Sequence, residues 1–301
     1  MKPDSKLAGK IGAREFVITA EYLPPVAADG ASIKAAAEGL KNGLVAISVA
    51  DNHHGIRTSS MAASSALLQL GLEPIYQIVT RDRNRIALQS DLLGASVLGV
   101  KNILCTSGHH QTLMDCSDSA NVYDLDAIQL IGAAAQMRDK GALLDGTPVA
   151  GVFGMLIGAV VNPFLRPMEL NLIQLAKKIE AGADFVQTHP VFDLAEFEVW
   201  LDAARKDSLV DKTAIIAGVL PLTGADEATQ LQETYTNLRI PDAIVERLSA
   251  AGGAEAQEKE GLTLCAETVT RLKAMKGVRG IHVISGGKEK LVPSLLSAAG
   301  L

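Results

Sequence analysis

Glu21, in the segment TAEYLPP, is a carboxylate at the end of an apolar run, followed by two prolines that keep the chain stiff and extended. That placement suits a general acid, and a solvated loop glutamate is the plainer reading of the same residues. Residues 106–110, TSGHH, close another apolar run, NILC, with a Ser-Gly turn and two adjacent histidines. The pair suits metal ligation, acid–base work or the polar lip of a loop. His53, His54, His189 and His282 also fall near the ends of apolar runs. There is no HxH or HExxH and no paired cysteine at ligand spacing, so a metal site is not expected. RDRNR (81–85) offers guanidinium forks to a phosphate-bearing ligand, or forms a salt-bridged helix start. Gly286 and Gly287 of ISGGKEK would let backbone N–H groups converge on a phosphate, or make a tight turn.

These residues need elements to position them. Apolar runs at 15–22, 44–51, 74–80, 102–108, 149–158, 184–192, 214–221 and 280–286 read as parallel strands covered on both faces. Between them, 59–71, 84–99, 124–141 and 168–182 carry helical spacing, several ending in Gly. The long spacer 222–279 predicts two or three helices, one starting near Pro241. Eight such alternations without a break in composition predict a single (β/α)8 TIM barrel over 1–301, with extra helices before the last strand. The open, doubly wound alternative would show an early GxGxxG turn, which is absent. In a barrel the chemistry gathers at the C-terminal strand ends, so Glu21, Gln77, His109, Asn162, Gln187 and His189 should share one mouth.

Bulk properties narrow the partners. The net charge is −6 with no basic block, which argues against nucleic acid. No run approaches the roughly 20 apolar residues that span a bilayer, and no signal-type stretch follows the N-terminus. Three cysteines, 105, 116 and 265, without a CxxC, fit a reducing compartment. A cytoplasmic protein away from membranes is expected.

From 15 to 285 several segments together resemble the methylenetetrahydrofolate reductase family of flavin-dependent barrels. They are AEYLPP (20–25), RDRNRIALQSDLLGASVLGVKNIL (81–104), YDLDAIQLI (123–131), NPFLRP (162–167), LAKKIEAGADFVQTHPVFD (175–193), AGVLPLT (217–223) and LRIP (238–241). The resemblance implies that reduced FAD delivers a hydride from N5 to the one-carbon bridge of 5,10-methylenetetrahydrofolate. Glu21 then matches the general acid that opens the bridge. Carried over as FAD contacts are Gln77, Thr106, Ser107, Gly108, Tyr123, Asp124, Asn162, Asn171, Gln174 and Lys178. Gln187, His189 and Phe192 take the folate-contacting positions.

Departures from the family pattern bear on the chemistry. His109 stands where the family has an aspartate, in a ligand-facing catalytic position, and an imidazole supplies no negative charge to a cationic iminium. Ala225 stands where some relatives carry a stacking aromatic, and the last strand ends HVISGG. The expected electron source is therefore NAD(P)H or a partner protein reducing the flavin. The alternatives are direct hydride transfer from NAD(P)H without flavin, or a non-catalytic folate-binding subunit. Homo-oligomers are common in the family.

Overall fold

Each apolar run becomes a stave of one closed barrel. The computed structural model describes residues 3–53, 55–235 and 238–301, so His54 lies outside the described residues. The strands are β1 Val17–Tyr22, β2 Ala46–Val49, β3 Pro74–Val79, β4 Asn102–Thr106, β5 Leu156–Val161, β6 Phe185–Pro190, β7 Ala214–Val219 and β8 Val278–Val283. Every neighbouring pair is parallel, and β8 closes on β1 with Thr19 opposite His282. The helices are α1 Lys6–Gly12, α2 Gly30–Glu38, α3 Ser60–Gln69, α4 Arg85–Val97, α5 Ala127–Lys140, α6 Met168–Glu180, α7 Leu194–Lys206, α8 Ala225–Thr234, α9 Asp242–Ala250, α10 Ala254–Ala274 and α11 Leu291–Ala298. This is the (β/α)8 barrel expected, and α8, α9 and α10 are the extra helices before the last strand. Among the described residues no helix is long and apolar enough to cross a membrane.

Strand side chains alternate between two environments. Tyr22, Ile47, Tyr76, Ile103, Ile157, Val186, Ile215 and Ile281 are buried against the surrounding helices. Val17, Ala46, Ile75, Leu104, Leu156, Phe185, Ala214 and Ile216 fill the lower barrel, where α1 drives in the fully buried Leu7 as a plug. A fully buried side chain of that kind stabilises by about 1.5–3 kcal/mol. Gly158 makes the filling possible, because a Cβ there would lie 2.3 Å from Cζ of Phe185.

Above this apolar floor lies a hydrogen-bonded layer. Gln77 Nε2 donates to Ser48 Oγ (3.0 Å), Ser48 Oγ to Gln187 Oε1 (3.5 Å), and Gln187 Nε2 to Thr19 Oγ1 (3.5 Å). Thr19 Oγ1 also meets His282 Nδ1 at 3.0 Å. Buried polar groups are tolerable only when paired like this. The layer fixes what stands on top of it.

Two elements differ from the sequence reading. The fifth strand begins at Leu156, several residues beyond its expected start, because 149–155 runs as irregular chain bent at Gly151. Ala142 bridges Pro148 in antiparallel fashion, and Gly151 adopts φ +84°, which breaks the apolar run before it can pair. The short α1 has no long periodic face to announce it. Its Ser5 cap accepts from Ala8 N–H, and Glu73 ties its first turn to the barrel floor through Lys6 and Leu7 N–H.

Candidate active site

Glu21 is the last inward-facing residue of β1, with a side chain 7% exposed. Its Oε2 accepts the N–H of Gly286, in the turn after β8, at 3.1 Å. Its Oε1 lies 3.8 Å from Nδ1 of His53, in the loop after β2. The His53 ring meets His109 edge-on at 5.3 Å, and the His109 ring lies 5.7 Å from Tyr235, just past α8. Burial and then the Glu21 charge push the Tyr235 hydroxyl above its usual value, which places it within electrostatic reach of that carboxylate. Five segments far apart in sequence thus converge on one mouth.

The histidine pair splits. His109 faces this cluster, whereas His110 is exposed and caps a short turn through Thr112. Gly108 (φ +80°) makes the bend, since a Cβ there would crowd Arg81 Nη1 and Val79 Cβ at 3.3 Å. Arg81 Nη1 (3.2 Å) and the Tyr123 hydroxyl (3.3 Å) both donate to the His109 carbonyl. The loop presenting His109 is therefore held from beneath by a buried guanidinium.

Two of the imidazoles at the mouth, those of His53 and His189, are neutral at neutral pH. Burial takes His189, at the end of β6, down to about 4, helped by the neighbouring His109, His53 and Lys178. Partial burial, His109, Arg81 and Arg57 hold His53 well below its usual value. His282, wholly buried in the layer below, is down to about 3. Among the described residues no group of His, Cys, Asp and Glu is placed to hold a metal ion. Burial pushes the Cys105 and Cys265 thiols up to about 12, so neither is a nucleophile.

RDRNR is a salt-bridged helix start. Arg81 pairs with Asp82 (2.6 Å), Arg83 with Asp51 (2.6 Å) and Asp91 (2.9 Å), and Arg85 with Asp124 (2.9 Å). The candidate cofactor positions divide in two. Thr106, Ser107 and Gly108 sit half-buried at the end of β4, just before His109, and Gln77 is half-buried within β3, in the polar layer. Lys178 Nζ donates to the Val160 carbonyl (2.6 Å), and burial lowers its pKa. The rest are engaged elsewhere or exposed. Asp124 holds Arg85, and that double contact takes its carboxyl to about 2. Asn162 caps Phe164 N–H (3.0 Å), while Asn171 donates to the Asn162 carbonyl and accepts from Trp200 Nε1 (3.3 Å). Gln174 is exposed on α6, and Tyr123 is exposed beside α5.

Of the candidate folate contacts, Gln187 lies in the polar layer and His189 at the mouth. Phe192 packs instead against the small core of α8 and α9, around Leu222, Ala228 and Leu248. Sequence reasoning missed Tyr235, and it missed Thr19 and Ser48, whose only signal was inward parity on a strand.

Comparison with known proteins places this geometry in a family. Residues 6–300 match the family model described as methylenetetrahydrofolate reductase. A probable methylenetetrahydrofolate reductase (NADPH) of Caenorhabditis elegans is 24% identical over 247 residues, covering 82% of this chain and 35% of the relative. Methylenetetrahydrofolate reductase 1 of Schizosaccharomyces pombe is 25% identical over 132 residues, 44% of this chain and 21% of the relative. The chain thus spans about a third or less of the curated relatives it matches. Among solved structures, an uncharacterized Clostridium thermocellum protein that binds two copies of 5-methyl-5,6,7,8-tetrahydrofolic acid has the same fold. Its TM-score is 0.65 at 15% identity, with 98% of both chains covered. With a family match running through all eight strands and both ends of the mouth, the chain belongs to the methylenetetrahydrofolate reductase family.

Proposed function

We propose that the chain reduces 5,10-methylenetetrahydrofolate to 5-methyltetrahydrofolate, with Glu21 as the general acid. The observation that carries the reading is Glu21 itself, buried at the mouth, oriented by Gly286 N–H and faced by a neutral His53. The proton goes to N10 of the folate, the bond from N10 to the bridge carbon breaks, and an iminium forms at N5. A hydride added to that carbon completes the methyl group. His53 is placed to relay a proton back to Glu21 between turnovers. Gln187, its amide fixed by Thr19 and Ser48, reads the pterin together with His189. Tyr235 brings an aromatic ring to the mouth from the far end of α8, offsetting the alanine at position 225.

The residues at the mouth fit a flavin. Gly108 opens the backbone at the end of β4, and the Lys178 amine has donors to spare beyond Val160. Gln77, Thr106, Ser107, Gly108 and Lys178 would hold FAD, which when bound supplies the hydride. NAD(P)H or a partner protein would reduce it. A second reading, in which a nicotinamide gives its hydride directly, is favoured by one observation: Asp124 and Asn171 are committed to Arg85 and Trp200.

The visible spectrum of the purified protein, followed by FAD titration, separates the two. Flavin bands that bleach on reduction and recover with methylenetetrahydrofolate support the first reading. A colourless protein that oxidises NAD(P)H with the folate supports the second. Glu21→Gln should lower turnover by about 10²–10⁴ in either case while leaving folate binding measurable. Full activity in that variant, or folate binding without turnover in the wild type, refutes the proposal.

A further inference from the structure

The opposite end of the barrel carries a charge distribution that the reductase reading does not use. A cleft of about 300 Å³ opens at the N-terminal face, between the end of α1 and the segments that lead into β7 and β8. That is room for a small ligand rather than a single ion. Arg14, Lys212, Lys276 and Arg279 line it, and none of the four pairs with a carboxylate among the described residues. The other charges there are spoken for. Arg205 pairs with Asp202, and Asp184 pairs with Arg138 and accepts Ile157 N–H. Asp211 is the single carboxylate left against four cations, in a protein whose net charge is −6.

The cations are also held together. Arg279 Nη2 donates to the Ile11 carbonyl (3.1 Å), which anchors one arm of its fork at the end of α1. Arg14 follows that helix at φ +61°, a position glycine usually takes, where an L-residue is strained by about 1–2 kcal/mol. Burial and then the Arg14 charge press the Arg279 guanidinium below its usual pKa, so the two like charges feel each other without a counter-ion. Thr213, 5% exposed, lines the same cleft, and its hydroxyl has no partner among the described residues. On a surface free of function, carboxylates would be expected to intersperse with such a group.

We propose that this cleft is a binding site for a small multivalent anion of the phosphate class, separate from the mouth. Two guanidinium forks and two ammonium groups, brought in from three chain segments, match the several oxygens and high charge of a phosphoryl group. Asp211 reduces the positive field of the four cations without cancelling it, so the attraction grows with the charge of the anion and favours multivalent ones.

The test is calorimetric titration of the full chain with pyrophosphate at low ionic strength. Inorganic phosphate, ADP and citrate serve as parallel arms, and Lys276→Gln and Arg279→Gln as variants. The expected result is saturable binding at one site per chain, weakened about tenfold in each variant and unchanged in Glu21→Gln. Binding of ADP but not inorganic phosphate would mark a phosphorylated metabolite as the source, and binding of both would mark free phosphate. Arg279 also supports α1, so its variant is read only if its melting curve matches the wild type. Lys276 is exposed and makes no hydrogen bond or ion pair among the described residues, so its variant can be read directly. Absent binding, citrate binding as tightly as pyrophosphate, or pyrophosphate binding that Lys276→Gln leaves intact overturns the proposal. The last result would place the anion outside this cleft.

Discussion

Acid should unfold this barrel from its interior, and His282 is the residue that makes it do so. Its imidazole is wholly buried against Thr19 and is held down to about 3. In the unfolded chain it returns to about 6.5. Below that value the unfolded state takes up a proton that the folded state refuses. Stability is therefore intact above about pH 6.5 and is lost as the pH falls toward 3, by roughly 1.4 kcal/mol per pH unit for this one group. Between about pH 7.5 and about pH 5 the loss is about 2 kcal/mol. His189 acts in the same direction, down to about 4. The perturbation is His282→Gln, which keeps a polar group opposite Thr19 and cannot ionise. Its own packing cost is the same at both pH values and cancels in the comparison. Urea unfolding at the two pH values, with m of about 3 kcal/mol/M, should show a midpoint drop about 0.7 M smaller in the variant than in the wild type. Equal drops in the two proteins would mean that His282 is protonated within the folded barrel, and the burial argument would fail.

Two further expectations concern the mouth and the floor. His109→Asp places a carboxylate beside the developing iminium. A unit charge about 5 Å away at an effective dielectric near 20 is worth about 3 kcal/mol, so turnover with methylenetetrahydrofolate should rise by up to about a hundredfold. Steady-state kinetics that show a loss instead would mean the pocket has been rebuilt around the imidazole. Gly158→Ala drives a methyl into the Phe185 ring and should destabilise the protein by about 1–3 kcal/mol. An unchanged melting temperature would show that the barrel floor is loosely packed.

The strands were legible because a parallel strand covered on both faces must be apolar throughout, as AIIAGV in β7 is. The same rule misplaced the start of the fifth strand. VAGVFGM is apolar too, and only the left-handed turn at Gly151 and the bridge to Ala142 stop it from pairing where the run begins. At the site, Glu21 and His109 could be found because a strand's C-terminal end is a local property that fixes which residues reach the mouth. Tyr235 could not. It arrives from the excursion through α8, and nothing in its neighbourhood signals that the chain returns to His109. The polar layer was hidden for a related reason. Thr19 and His282 are 263 residues apart, and only the register of β1 on β8 sets them side by side.

That layering also means that residues at the mouth can vary without loss of the fold. The lower barrel is filled by Val17, Ile75, Leu104 and Phe185, a cluster that includes no mouth residue. The layer above is a hydrogen-bonded chain of its own, from Gln77 through Ser48 and Gln187 to Thr19 and His282. A change at position 109 or 189 therefore meets a platform already satisfied beneath it and leaves no buried donor or acceptor stranded in the lower layers. Glu21 is differently placed. Gly286 N–H from the last βα turn binds its carboxylate, so its loss would disturb how that turn closes the ring as well as the chemistry. The residue proposed for the proton transfer is thus tied to the turn that closes the ring, whereas positions 109 and 189 stand above a platform that does not depend on them.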